Sequence, residues 1–127
     1  MTITERVDNI TRLPEAYRLA APPAPPSVKI ELTARCDFQC FFCASHQKLR
    51  QKQDMEWDFY TRIVKEMREA GVEELGMFYL GESFLFVRLA EAIHYAKQEI
   101  GYPYVFLTTN GRMALPMKTK ACMAAGL

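Results

Sequence analysis

The order of strand-like and helix-like segments constrains the fold of this chain more than any other feature. Apolar residues predict strands at 28–32, 75–80 and 104–108, and helical spacing follows each of them, at about 56–70, 85–100 and 116–125. Strands joined by helix-length connections pair in parallel with right-handed crossovers. The sequence therefore predicts an α/β fold with about three parallel βα units.

Composition and charge narrow the class of protein. The 127 residues are 50% hydrophobic and 24% charged, which is typical of one globular domain with a real core. Sixteen basic and fifteen acidic residues give a net charge of +1, so we expect no nucleic-acid or anionic-membrane partner. No apolar run approaches the roughly 18 residues of a membrane span, and the N-terminus lacks the apolar core of a secretory signal. We therefore expect a cytoplasmic protein.

A proline-rich segment divides the chain. Four prolines stand within 21–26, and proline fixes φ and removes a donor, so an extended linker is expected at 21–27. Before it, residues 1–20 form an N-terminal arm with a short helix at about 14–20. After it, residues 28–127 form the core. The chain ends where a helix would lead into a fourth strand, so we expect a truncated core.

The cysteines are the strongest chemical signal. Cys36, Cys40 and Cys43 lie within eight residues in the pattern C-x3-C-x2-C. In a reducing compartment disulfides are a poor explanation, and three thiolates on one loop can bind a single metal cluster. Three ligands would leave one iron of a four-iron cluster open to a small molecule. Zinc bound by these cysteines and His46 is the less favoured alternative, while Cys122 is expected to be a buried apolar residue.

The segment 31–43 resembles the signature of the radical S-adenosylmethionine (SAM) superfamily, C-x3-C-x-aromatic-C, at the end of the first barrel strand. The resemblance implies that Cys36, Cys40 and Cys43 bind a [4Fe-4S] cluster. It also implies that SAM chelates the fourth iron through its amino and carboxylate groups, with Phe42 beside the adenine. The implied fold is a partial (β/α)6 TIM-like barrel.

Two further segments resemble motifs of the same family, in the same order along the chain. Residues 80–83, Leu-Gly-Glu-Ser, resemble its G-G-E-P motif, with leucine and serine in place of the first glycine and the proline. This resemblance implies that Gly81 and Glu82 bind the methionyl amino group of SAM, since glycine permits close approach and a carboxylate pairs with an ammonium. Ser83 is also expected to cap the following helix.

The third segment, 108–111, resembles the T-N-G stretch of the family at the end of the third strand. The resemblance implies that Thr109 and Asn110 lie near the SAM ribose or the substrate. All three motifs end predicted strands, where α/β folds place their sites.

The implied activity is reductive cleavage of SAM. One electron from the reduced cluster would yield methionine and a 5′-deoxyadenosyl radical, which abstracts a hydrogen atom from a substrate that the sequence does not identify. A flavodoxin- or ferredoxin-type protein would supply the electron. No catalytic side chain is assigned beyond the cluster and SAM site. The alternative is a non-catalytic module that binds a cluster or zinc.

Overall fold

Three parallel strands form the single sheet in the described part of the chain. The computed structural model describes Thr2, residues 14–44 and residues 51–127. The strands are β1 (Ser27–Lys29), β2 (Glu74–Gly76) and β3 (Tyr104–Phe106), in the order β1-β2-β3. Val28 lies opposite Leu75, which lies opposite Val105. The predicted α/β fold with parallel strands is confirmed.

A helix follows each strand. The helices are α1 (Trp57–Glu69), α2 (Leu89–His94), which continues as a π-helical segment over Tyr95–Glu99, and α3 (Pro116–Ala125). Proline suits the first turn of α3, and Gly126, with φ of 116°, ends the helix in the left-handed region. Among the described residues, no helix has both the length and the apolar character needed to cross a membrane.

The core lies between the sheet and the helices. Its largest fully buried side chains include Leu32, Tyr60, Leu75 and Ile93. Cys122 on α3 belongs to the same core with 2% of its surface exposed, as expected from the sequence. Burial raises the pKa of its thiol, which makes it a poor nucleophile and a poor metal ligand.

The strands are shorter than the sequence predicts. Each is three residues long, although the backbone hydrogen bonds from Ile30 to Gly76 and from Met77 to Phe106 extend the pairing by one residue. Beyond this point the N–H groups of Leu80 and Gly81 bond to a side chain instead of a neighbouring strand. After β2, a side-chain acceptor therefore takes the place of the ladder.

Two details of the predicted helices are corrected. The second helix begins at Leu89 and not near 85, because a short 3-10 helix, Ser83–Leu85, precedes it. Ser83 does not cap it. The side chain of Glu82 caps the 3-10 helix by accepting the Phe84 N–H, while the Ser83 hydroxyl donates to the buried Met77 carbonyl at 2.6 Å.

The N-terminal arm is described only in part. The helix expected at 14–20 is a 3-10 helix over Glu15–Arg18. Residues 3–13 of the arm lie outside the described residues. The segment 45–50, which holds His46, the ligand in the alternative zinc site, lies outside them as well.

A buried hydroxyl joins α1 to α2 and provides a test of this packing. Tyr60 is fully buried, and its hydroxyl donates to the Ala92 carbonyl at 2.6 Å. We expect Tyr60→Phe to lower the free energy of unfolding by about 1 kcal/mol, because the buried bond is lost while the carbonyl keeps a helical partner. Tyr79→Phe, at a side chain that is 65% exposed, should change it by less than about 0.5 kcal/mol. Urea denaturation that shows equal losses of unfolding free energy in the two variants would contradict this assignment.

Candidate functional site

The loops that follow the three strands meet at one edge of the sheet. Parallel strands present their carboxyl ends together, and α/β folds bind ligands there. The loop after β1 carries the three clustered cysteines, and shorter turns at 80–83 and 108–111 follow β2 and β3. The geometry of this edge depends on polar side chains that connect one loop to the next.

Glu31 joins the first loop to the second. It lies two residues beyond the end of β1, and its Oε1 accepts the N–H groups of Leu80 at 2.9 Å and Gly81 at 2.8 Å. A carboxylate that accepts backbone N–H groups makes strong, charge-assisted hydrogen bonds. The turn after β2 is therefore held against the start of the cysteine loop.

Gly81 allows these two loops to touch. A Cβ atom at this position would lie 1.8 Å from the Thr33 carbonyl oxygen and 3.0 Å from that of Arg35. The N–H of the next residue, Glu82, donates to the same Arg35 carbonyl at 2.8 Å. Only glycine fits between these backbones, so the glycine expected from the motif has a packing reason in this chain.

Glu82 joins the second loop to the third. Glu82 is only 3% exposed. Its carboxylate accepts hydrogen bonds from the Phe84 N–H at 3.0 Å, the Thr109 hydroxyl at 2.7 Å and the Asn110 N–H at 2.8 Å. Three donors from the chain itself satisfy this buried charge. The contact between Glu82 and an ammonium group of a ligand stays a prediction; the structure adds that this carboxylate holds the turn after β3.

Arg35 holds the residue before the first cysteine. Its guanidinium donates to both oxygens of Asp54, at 3.0 and 2.7 Å, and to the Leu85 carbonyl at 2.8 Å. An antiparallel bridge between Thr33 and Asp54 closes the base of the loop. Bidentate arginine–carboxylate pairing is strongly directional, so Cys36 follows a well-anchored residue.

The thiols lie on one loop but do not form a closed metal site. Cys36, Cys40 and Cys43 are all partly buried, and none of the four cysteines is in a disulfide. Among the described residues, no three His, Cys, Asp or Glu side chains converge closely enough to hold an ion. The donor set still fits an iron–sulfur cluster, because three thiols occur within eight residues and the Phe38 N–H lies 3.5 Å from the Cys36 sulfur.

The other predicted site residues divide into two groups. Gly81, Glu82, Thr109 and Asn110 belong to one hydrogen-bonded network with the cysteine loop. Phe42 lies outside this network: its side chain is 79% exposed and contacts the Phe41 ring edge-to-face at 5.3 Å between centroids.

Several charged residues of this edge have no role predicted from the sequence, namely Glu31, Arg35, Asp37 and Asp54. One signal was available for Glu31, an acidic residue between Ile30 and Leu32 at the end of an apolar strand. The others sit in loops, where charge is ordinary, and only the structure relates Arg35 to Asp54, nineteen residues away.

Comparisons with known proteins agree with this arrangement. The sequence model of the radical SAM superfamily matches residues 30–126. GTP 3′,8-cyclase from Chlorobaculum tepidum is 28% identical over 100 residues, which are 79% of this chain and 30% of that protein. The chain therefore spans about a third of the length of this relative.

Solved structures of BtrN share the fold. The structure of BtrN in complex with AdoMet and 2-DOIA matches with a TM-score of 0.74 and 15% identity, over 80% of this chain and 42% of that one. BtrN in an open conformation matches with a TM-score of 0.71 and 14% identity, over 80% and 46%. The three βα units of this chain thus correspond to part of a larger TIM-like barrel.

The contact at Gly81 provides a direct test of the loop packing. We expect Gly81→Ala to lower the free energy of unfolding by about 3 kcal/mol or more, because the new methyl group meets backbone atoms that cannot move aside. Gly76→Ala is the matched control. Its methyl group would meet side-chain carbons at 3.0–3.1 Å, which can shift, so the loss should be about 1 kcal/mol. Urea denaturation that shows a larger loss of unfolding free energy for Gly76→Ala than for Gly81→Ala would refute this packing.

Proposed function

Because the chain belongs to the radical SAM superfamily, whose enzymes use a [4Fe-4S] cluster and SAM, we propose that its cysteine loop binds such a cluster. We propose further that the whole protein is an enzyme that uses SAM to begin radical chemistry. The observation that carries this proposal is the position of the three clustered thiols at the carboxyl edge of a parallel sheet, on a loop tied to the two neighbouring turns.

Cys36, Cys40 and Cys43 are the proposed ligands of three irons, and SAM would occupy the fourth. When bound and reduced, the cluster would supply the electron that cleaves SAM into methionine and a 5′-deoxyadenosyl radical, which takes hydrogen from the substrate. The electron would come from a flavodoxin- or ferredoxin-type protein. The setting proposed for this reaction is the cytoplasm.

The residues around the cysteines have binding roles in this proposal. Gly81 would contact the ligand through its backbone, and Glu82 would face the methionyl ammonium. Phe42 would pack against the adenine, where its present exposure leaves its ring available. Thr109 and Asn110, in the turn after β3, would lie near the SAM ribose or the substrate, and Glu82 supports their position by accepting from both. Preorganised side chains of this kind reduce the cost of ordering the site when ligands bind.

The cluster is tested by anaerobic reconstitution with iron and sulfide, followed by EPR of the reduced protein with and without SAM. We expect a [4Fe-4S]⁺ signal that changes when SAM is added and that Cys40→Ala abolishes, because two thiolates cannot replace three. Cys122→Ala is the matched control, since this cysteine is buried in the core on α3 and should leave the signal intact.

Two other results would refute the proposal. A chain that takes up zinc tightly and no cluster would be a structural metal domain. A chain whose cluster signal does not respond to SAM would be a cluster-binding module without SAM chemistry.

The adenine contact has its own test. We expect Phe42→Ala to keep the cluster signal but to weaken SAM binding about tenfold, since stacking of a base on an aromatic ring is worth about 1–3 kcal/mol. Phe41→Ala is the matched control, because Phe41 is the adjacent phenylalanine and is 92% exposed. SAM titration of the EPR signal measures both. A larger loss of SAM affinity in Phe41→Ala than in Phe42→Ala would show that Phe41, and not Phe42, contacts the adenine.

A further inference from the structure

The side chain of Asn110 reaches back from the third strand to the first cysteine. Its Nδ2 donates to Asp37 Oδ1 at 2.9 Å and lies 3.9 Å from the Cys36 sulfur, within range of an N–H···S hydrogen bond. Its Oδ1 accepts the Arg112 N–H at 2.9 Å. A carboxylate only accepts and a backbone N–H only donates, so these two partners decide which end of the amide faces the sulfur.

Asn110 is held in this position by several independent contacts. Its own N–H donates to the buried Glu82 carboxylate at 2.8 Å, and the Thr109 hydroxyl donates to the same side chain. The next residue, Gly111, donates its N–H to the Thr109 oxygen at 3.0 Å and has a φ of 81°, which favours glycine. These contacts hold the backbone of Asn110, while the bonds of its amide to Asp37 and to the Arg112 N–H direct Nδ2 toward Cys36.

Asp37 brings a negative charge into the neighbourhood of the same sulfur, because its Oδ1 and the Cys36 sulfur lie 2.9 and 3.9 Å from one atom, Asn110 Nδ2. Its side chain is 18% exposed, and its Oδ2 is buried without a hydrogen bond, at 3.6 Å from Arg112 Nε. Burial weakens solvent screening, so this charge acts on neighbouring groups more strongly than a surface carboxylate does. Cys36 therefore has an N–H donor within hydrogen-bond range and a carboxylate close to that donor.

We propose that Asn110 and Asp37 are positioning residues that set the reduction potential of the cluster in opposite directions. This inference rests on the proposed function, since it requires a cluster on Cys36. Reduction adds negative charge to a cluster and its thiolates, so an N–H donor to the sulfur favours the reduced form and raises the potential. The carboxylate of Asp37 disfavours the added charge and lowers the potential.

The proposal gives Asn110 a different neighbour from the one that the family resemblance implies. A contact with the SAM ribose or with substrate would affect ligand binding and leave the cluster without SAM unchanged. A hydrogen bond to Cys36 affects the cluster before any ligand is present. Measurements without SAM therefore separate the two roles.

The experiment is a redox titration of the reconstituted 127-residue chain, followed by EPR in the absence of SAM. At a fixed solution potential, Asn110→Ala should lower the ratio of reduced to oxidised cluster by up to about tenfold, which is about 59 mV for a one-electron couple. Asp37→Asn should raise that ratio. Glu69→Gln should leave it unchanged, because Glu69 is an exposed residue at the end of α1, which leads to the opposite edge of the sheet.

A purely structural role of the two residues would not shift the reduction potentials of the two variants in opposite directions. A loosened loop would reduce iron content in both variants without moving their potentials apart. If the Asn110→Ala variant does not hold iron, the test rests on Asp37→Asn. A reduction potential of the Asp37→Asn variant at or below that of the unmodified chain would overturn the proposal. Unshifted potentials in both variants would overturn this inference alone, whereas an unmodified chain that forms no cluster would overturn the proposed function with it.

Discussion

Two carboxylates hold together the edge of the sheet on which the rest of this structure depends. Glu31 accepts the N–H groups of the turn after β2, and Glu82 accepts donors from the turn after β3. Backbone N–H groups beyond the end of a strand have no ladder partner, and leaving them unpaired in a buried position is costly. An acidic side chain from the loop after the preceding strand supplies the acceptor, so each of these loops helps to position the next.

The short strands make this arrangement necessary. Three residues per strand provide few ladder bonds, and the sheet has only three strands in the described part of the chain. The helices pack on this sheet, with the Tyr60 hydroxyl joining α1 to α2 and Cys122 filling the core from α3. The loops at the carboxyl edge are consequently ordered by side-chain hydrogen bonds more than by the sheet.

Much of the fold could be predicted from local patterns. Amphipathic spacing placed α1 within one residue of its observed ends, and the proline and glycine at either end of α3 marked its limits. The start of α2 could not be read in the same way, because Leu85 continues the apolar spacing while belonging to a 3-10 helix. Its cap was also misassigned, since serine and glutamate both suit that position and only the buried Met77 carbonyl decides which one bonds where.

For the site, the sequence by itself determined the family and the chemical groups that are present. Three thiols in eight residues, a glycine before an acidic residue and an asparagine before a glycine are local facts, and their order along the chain identifies the family. Only the tertiary structure decided how these groups meet. The contact of Asn110 with Cys36 spans 74 residues, and that of Thr109 with Glu82 spans 27. Such contacts depend on which strands are neighbours and on where each strand ends, and no local pattern encodes either.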